Sequence, residues 1–165
     1  MIALKKVLVA TDFGEAAEAA LDYGREFART FGASLLVLNV VDNVLMRVGG
    51  AEAFLGVYPD VQREVDEAAR RQLDQCISDE DRRTLGAKAV AITSNATAAA
   101  IVGYAADEKI DLIIMGTHGH GTIAHLLLGS VAEKVVRMAP CPVLTVRHPE
   151  QEFLRPDALQ LVAHA

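Results

Sequence analysis

The feature that most constrains this chain is a regular alternation of short, bounded apolar runs with longer segments of helical period. Apolar runs fall at residues 5–10, 34–41, 87–92, 111–115 and 143–146, and helical patterns separate them. Such runs read as buried strands, and a strand buried on both faces belongs to a parallel sheet covered by helices. Helices are expected at 15–30, 60–83, 96–108 and 123–138. In the first, Ala16, Ala20, Tyr23, Phe27 and Phe31 recur three or four apart and form one face, and Gly32 stops it. In the second, Val61, Val65, Ala68, Ala69, Leu73 and Ile77 share a face. Pro140 and Pro142 end the last.

Each strand–helix–strand unit crosses over right-handedly, so consecutive strands run parallel. The expectation is α/β: a single doubly wound, five-stranded parallel sheet with helices on both faces. Aromatics are 5% of the chain and Trp is absent, so the core must be built from Val, Leu, Ile and Ala. Residues 42–59 lose periodicity and contain Gly49, Gly50, Gly56 and Pro59, which reads as a mobile loop or lid. The tail 148–165 offers Leu154, Leu159, Leu161 and Val162 for a short helix, with disorder as the alternative.

A formal net charge of -6 argues against a general polyanion binder, so no nucleic acid is expected as partner. Cys76 and Cys141 are too few for a disulfide framework, and Cys141 reads as a small buried thiol. The N-terminal apolar run meets Thr11 and Asp12 before reaching signal-peptide length, and no stretch approaches the ~20 residues of a membrane span. The expected location is the cytoplasm, away from membranes.

In parallel sheets, ligands sit beyond the carboxyl ends of the strands, where strand order reverses. Three such ends stand out: Thr11-Asp12, Val40-Val41-Asp42 and the segment after Met115. The last carries Gly116, Gly119, Gly121 and Gly129. Glycines there permit left-handed backbone angles and close approach to an anion, and bare amides beside a helix N-terminus form an anion-binding nest.

The spacing Gly116-x2-Gly119-x9-Gly129-Ser130 resembles the nucleotide-binding motif of the universal stress protein family, in its ATP-binding branch. The flanks are similar too: Asp111-Leu-Ile-Ile-Met-Gly-Thr-His-Gly before it, Gly-Ser-Val-Ala-Glu-Lys-Val-Val and Pro-Cys-Pro-Val-Leu-Thr-Val-Arg after it, and Lys6-Val-Leu-Val-Ala-Thr-Asp at the start. The resemblance covers about residues 5–147, and implies a domain of 1–147 with 148–165 as a separate tail. It implies an adenine nucleotide alpha hydrolase-like sheet of strand order 3-2-1-4-5. It also implies a stress-response factor that binds ATP, with Mg2+ or Mn2+ held through the phosphates, and a homodimer through strand 143–146.

By the same resemblance, the nucleotide-binding residues are Ala10, Thr11, Asp12, Val40, Met115, Gly116, His118, Gly119, Gly129, Ser130 and Val131. Asp12 would sit near base or ribose, Val40 would offer backbone groups to the adenine edge, and Gly116 and Gly119 would admit ribose and phosphates. Gly129, Ser130 and the Val131 amide would hold the phosphate chain. The bland reading of Asp12 is a helix N-cap. Where many members have a glycine and a proline, this chain has Ser94-Asn95-Ala96-Thr97, with Asn95 and Thr97 as candidate caps.

Other readings remain open. Gly119-x-Gly121-x-x-Ala124 fits a loose dinucleotide fingerprint, but it starts late after its strand and Arg147 stands where an acid is needed. No Walker-type G-x-x-x-x-G-K-[ST] loop is present. His118, His120 and His125 invite a metal site without a recognised ligand spacing. No catalytic set declares itself, so slow ATP hydrolysis is the most to expect. A nucleotide-independent dimeric interaction module is the alternative function.

Overall fold

A strand buries every side chain only when both of its faces are covered, and Val7, Leu8 and Val9 are each fully buried. The computed structural model describes residues 2–44, 58–117 and 128–147. Outside them lie most of the expected lid, the three loop histidines, the dinucleotide-like Gly119–Ala124 stretch and the tail with its leucines.

The described elements are β1 (Lys6–Ala10), α1 (Glu15–Phe31), β2 (Ser34–Val41), α2 (Tyr58–Cys76), α3 (Asp79–Thr84), β3 (Lys88–Thr93), α4 (Thr97–Asp107), β4 (Leu112–Gly116), α5 (Ser130–Met138) and β5 (Val143–Val146). All five strands pair in parallel, in the order β3-β2-β1-β4-β5. This is the expected sheet and order. Alternate strand residues divide between two cores. Val7, Val9, Leu35, Val37 and Ile114 pack with α1 and α2, whereas Leu8, Leu36, Leu38, Ile113 and Met115 pack with α4 and α5.

Several expectations about helices need correction. The helix expected at 60–83 is two helices, because Ser78 opens α3 with a full capping box. Its hydroxyl accepts from the Asp81 N–H at 3.0 Å, and the Asp81 carboxylate accepts from the Ser78 N–H at 3.1 Å. Arg25 of α1 also donates to that carboxylate at 3.1 Å and to the Cys76 carbonyl at 2.7 Å, tying α1 to the break. Burial pushes the Asp81 carboxyl up, but the Ser78 hydrogen bonds and the Arg25 charge outweigh it and hold it below its ordinary value.

The buried face of α1 is also narrower than periodicity indicates. Ala16, Ala17, Ala20, Leu21, Gly24 and Ala28 face inward, while Tyr23 and Phe31 remain 40% and 39% exposed. The helix lies so close to β1 that a Cβ on Gly24 would stand 2.4 Å from Val9 Cγ2, and large aromatics are displaced to its edge. On α2, Val61 and Ala68 are likewise exposed, and Ala69 and Leu73, with Ile77 just beyond the helix, carry the apolar burial.

Finally, the helix expected over 123–138 is interrupted at residues 128–129: α5 begins at Ser130 with Gly129 as N-cap, and residues 123–127 lie outside the described ones. Asn95 and Thr97 do not cap α4 either. Ala96 is the N-cap and no side chain caps the helix, while the Asn95 amide accepts from Asn43 N–H at 2.8 Å and donates to the Asn43 carbonyl at 3.2 Å. Cys141 is a free, partly buried thiol that burial pushes up.

Candidate functional site

Strand order reverses at β1, which lies between β2 and β4, so the crevice beyond its carboxyl end is open to a ligand. A cavity of about 310 Å³ occupies that position, within the size range of small-molecule sites. Nine of the eleven residues expected from the sequence line it: Ala10, Thr11, Asp12, Val40, Met115, Gly116, Gly129, Ser130 and Val131. The other two, His118 and Gly119, lie outside the described residues. The wall includes residues that the sequence reading missed, namely Ala17, Leu38, Asn39, Thr97, Ile101, Thr117 and Ala132. Asn39 carried a signal, as the one polar side chain after Ser34 in the apolar run of β2. Thr97 and Ile101 carried none, because helical spacing does not reveal that α4 begins against the β2 end.

The floor is apolar, from Leu38, Ile101 and Met115, and the rim is polar. Beyond β1 the chain turns sharply. The Phe13 N–H donates to Thr11 Oγ1 at 2.9 Å, the Gly14 N–H donates to Asp12 Oδ1 at 3.1 Å, and Phe13 takes a left-handed φ of 65°. Asp12 therefore braces the residue before α1 instead of capping the helix, whose N-cap is Gly14. Asn39 is buried, and its Nδ2 donates to the Thr11 carbonyl at 2.8 Å. The ends of the glycine-bearing segment are pinned together, since the Gly129 N–H donates to the Thr117 carbonyl at 2.7 Å and the Thr117 N–H to the Val146 carbonyl at 2.8 Å.

Gly116 has a packing role that the sequence did not reveal. A Cβ there would stand 2.8 Å from the Ala16 Cβ and 3.0 Å from the Ala16 carbonyl carbon, so the end of β4 meets the first turn of α1 backbone to backbone.

Electrostatically the wall is sparse. Asp12 is the single ionisable side chain among the described lining residues. Three helices start beside the cavity with no side-chain cap, α1 at Gly14, α4 at Ala96 and α5 at Gly129. The capping box lies on α3, away from it. First-turn N–H groups left without a side-chain partner supply partial positive charge, and an anionic group is the complementary ligand. Among the described residues no group of three or more His, Cys, Asp or Glu side chains is arranged to hold a metal ion, and no helix is long and apolar enough to cross a membrane.

The universal stress protein family model matches residues 3–147. The universal stress protein in QAH/OAS sulfhydrylase 3'region of Thermus aquaticus is 35% identical over 153 residues, covering 87% of this chain and 98% of that protein. The solved universal stress protein UspA from Lactobacillus plantarum is similar with a TM-score of 0.76 at 25% identity, over 89% of this chain and all (100%) of that one. The universal stress protein from Archaeoglobus fulgidus in complex with dAMP shares the fold, with a TM-score of 0.52 at 21% identity, covering 88% and 99%.

Proposed function

This chain belongs to the universal stress protein family, and on that premise we propose that it binds an adenine nucleotide, ATP, in the cavity beyond β1. The observation that carries the reading is the coincidence of one cavity, an apolar floor and the uncapped N-terminus of α5. A base needs the floor, and a phosphate chain needs the amides. The family relative with bound dAMP supports an adenine ligand only as a shared fold.

In this reading the backbone of Val40 meets the adenine edge, and the phosphates run towards Gly129, Ser130 and the Val131 amide. Asp12 serves the ribose, because its charge would repel phosphate. His118 and Gly119 complete the phosphate side. The residues present suit a cation held mainly by the ligand: with one carboxylate at the wall, Mg2+ or Mn2+ would be bound through phosphate oxygens, neutralising their charge. Nothing in the described wall is arranged as a nucleophile–base pair, so binding rather than turnover is the proposed activity, with the nucleotide governing a cytoplasmic signalling or survival role. Strand β5 stands at the sheet edge with Val143, Leu144 and Thr145 partly exposed, which supports a homodimer through residues 143–146.

The test is a calorimetric titration of the intact chain with ATP, ADP, AMP and NAD, with and without magnesium. Binding of ATP in preference to NAD supports the reading. Absence of binding by any of these at millimolar concentration refutes it and leaves the dimeric interaction module.

A further inference from the structure

The β1–β2 ladder follows a simple rule at its carboxyl end. The Ser34 N–H donates to the Lys5 carbonyl at 2.8 Å and the register advances evenly through Ala10 and Leu38. In a parallel pair the same rung recurs every second residue. The next rungs would therefore take the Val40 N–H to the Thr11 carbonyl and the Phe13 N–H to the Val40 carbonyl, after the Thr11 N–H has met the Leu38 carbonyl at 2.8 Å.

Neither rung forms. The Thr11 carbonyl is taken by Asn39 Nδ2 at 2.8 Å, and the Phe13 N–H is taken by Thr11 Oγ1 at 2.9 Å. Two side chains thus occupy the two groups that Val40 would pair with. By strand parity the Val40 N–H and C=O both point towards β1, where the chain has turned away, and Val40 lines the cavity. A donor and an acceptor stand side by side there, complementary to the amino group and neighbouring ring nitrogen of adenine. An unpaired backbone pair at a half-buried strand end is costly unless a ligand or water satisfies it.

We propose that Asn39 is a positioning residue for base recognition: its amide caps the Thr11 carbonyl, holds the Val40 backbone pair out of the sheet and keeps it open to an adenine edge. Thr11 Oγ1 does the same for the carbonyl half. This rests on the nucleotide reading above and adds the side chains that create the base site without touching the base.

Two measurements separate this device from that reading. The first needs no ligand: amide hydrogen exchange in the free wild-type chain should show Val40 exchanging at least about a hundredfold faster than Leu38, its neighbour one rung back on the same side. Equal protection at Val40 and Leu38 overturns the proposal. The second compares Asn39→Leu, which keeps the volume and removes the donor, with wild type for ATP and for inorganic tripolyphosphate, which has no base. The variant should lose about tenfold or more in ATP affinity while tripolyphosphate binding is unchanged, and Val40 exchange should slow as the ladder closes. Wild-type binding of ATP with an undiminished Asn39→Leu affinity overturns the positioning role alone. Failure of wild type to bind ATP overturns the nucleotide reading, while Val40 exchange still decides whether the backbone pair is released.

Discussion

Replacing Gly116 with alanine places a Cβ 2.8 Å from the Ala16 Cβ, 3.0 Å from its carbonyl carbon and 3.2 Å from its carbonyl oxygen. Ordinary contact begins near 3.4 Å, so β4 and the first turn of α1 must separate by about 0.6 Å, the difference between 3.4 and 2.8. Two of the three atoms are backbone, and α1 is anchored along β1 through Ala20 and Gly24. Overpacking of this kind costs about 1–3 kcal/mol, which for a chain of this length lowers Tm by about 2–12 °C. Thermal unfolding of Gly116→Ala, of Ala16→Gly and of the double variant measures it. The double variant should recover part of the loss, since it removes the Cβ–Cβ clash and leaves the backbone contacts. A Gly116→Ala protein that melts with wild type but loses ATP binding would refute the reasoning, and would show that this glycine serves the ligand's approach and not the packing of α1.

Other outcomes follow from the same structure. Gly24→Ala should destabilise by about 1–3 kcal/mol in urea unfolding, because its Cβ meets Val9 at 2.4 Å, whereas Gly103→Ala, with nothing within 4 Å, should stabilise by about 0.5–1 kcal/mol. Asp81→Ala, which removes the Ser78 N–H to carboxylate half of the α3 capping box and leaves Arg25 without its buried partner, should cost about 2–4 kcal/mol. Since the folded Asp81 carboxyl is held below its ordinary value, its stabilisation is fully present above the unfolded pKa of about 3.9 and is lost as pH falls through the folded value. Asp81→Asn should accordingly flatten the acid limb of stability against pH. Ser130→Ala should weaken ATP about three- to tenfold and AMP less, measured by calorimetry, if the hydroxyl serves the outer phosphates. Thr145→Lys should shift the expected homodimer to monomer in sedimentation, and an unchanged dimer would remove β5 as its interface.

The element order and sheet were legible because each strand is a bounded apolar run and each crossover has one allowed hand. The nine described site residues meet at the cavity for the same reason: strand ends at a reversal point converge whatever their sequence distance. What escaped notice depends on distances between elements. Periodicity put Tyr23 and Phe31 on the α1 face, but it carries no information on how close a helix lies to its sheet, and here alanine and glycine fill that face with Leu21 as the one larger side chain. The Ser78-Asp79-Glu80-Asp81 capping signal was present in the sequence, and the continuing helical pattern hid it. Asn39 and Thr11 acquire their roles from a register that exists only once β1 and β2 are paired.

The most direct test of a nucleotide in this cavity is amide chemical-shift mapping of the intact, isotope-labelled chain during titration with magnesium ATP. Shifts concentrated at Asp12, Val40, Ser130 and Val131, saturating together with one affinity, are the expected result. Saturable binding that leaves Val40 and Ser130 unmoved, or no shifts at millimolar ATP, would contradict it.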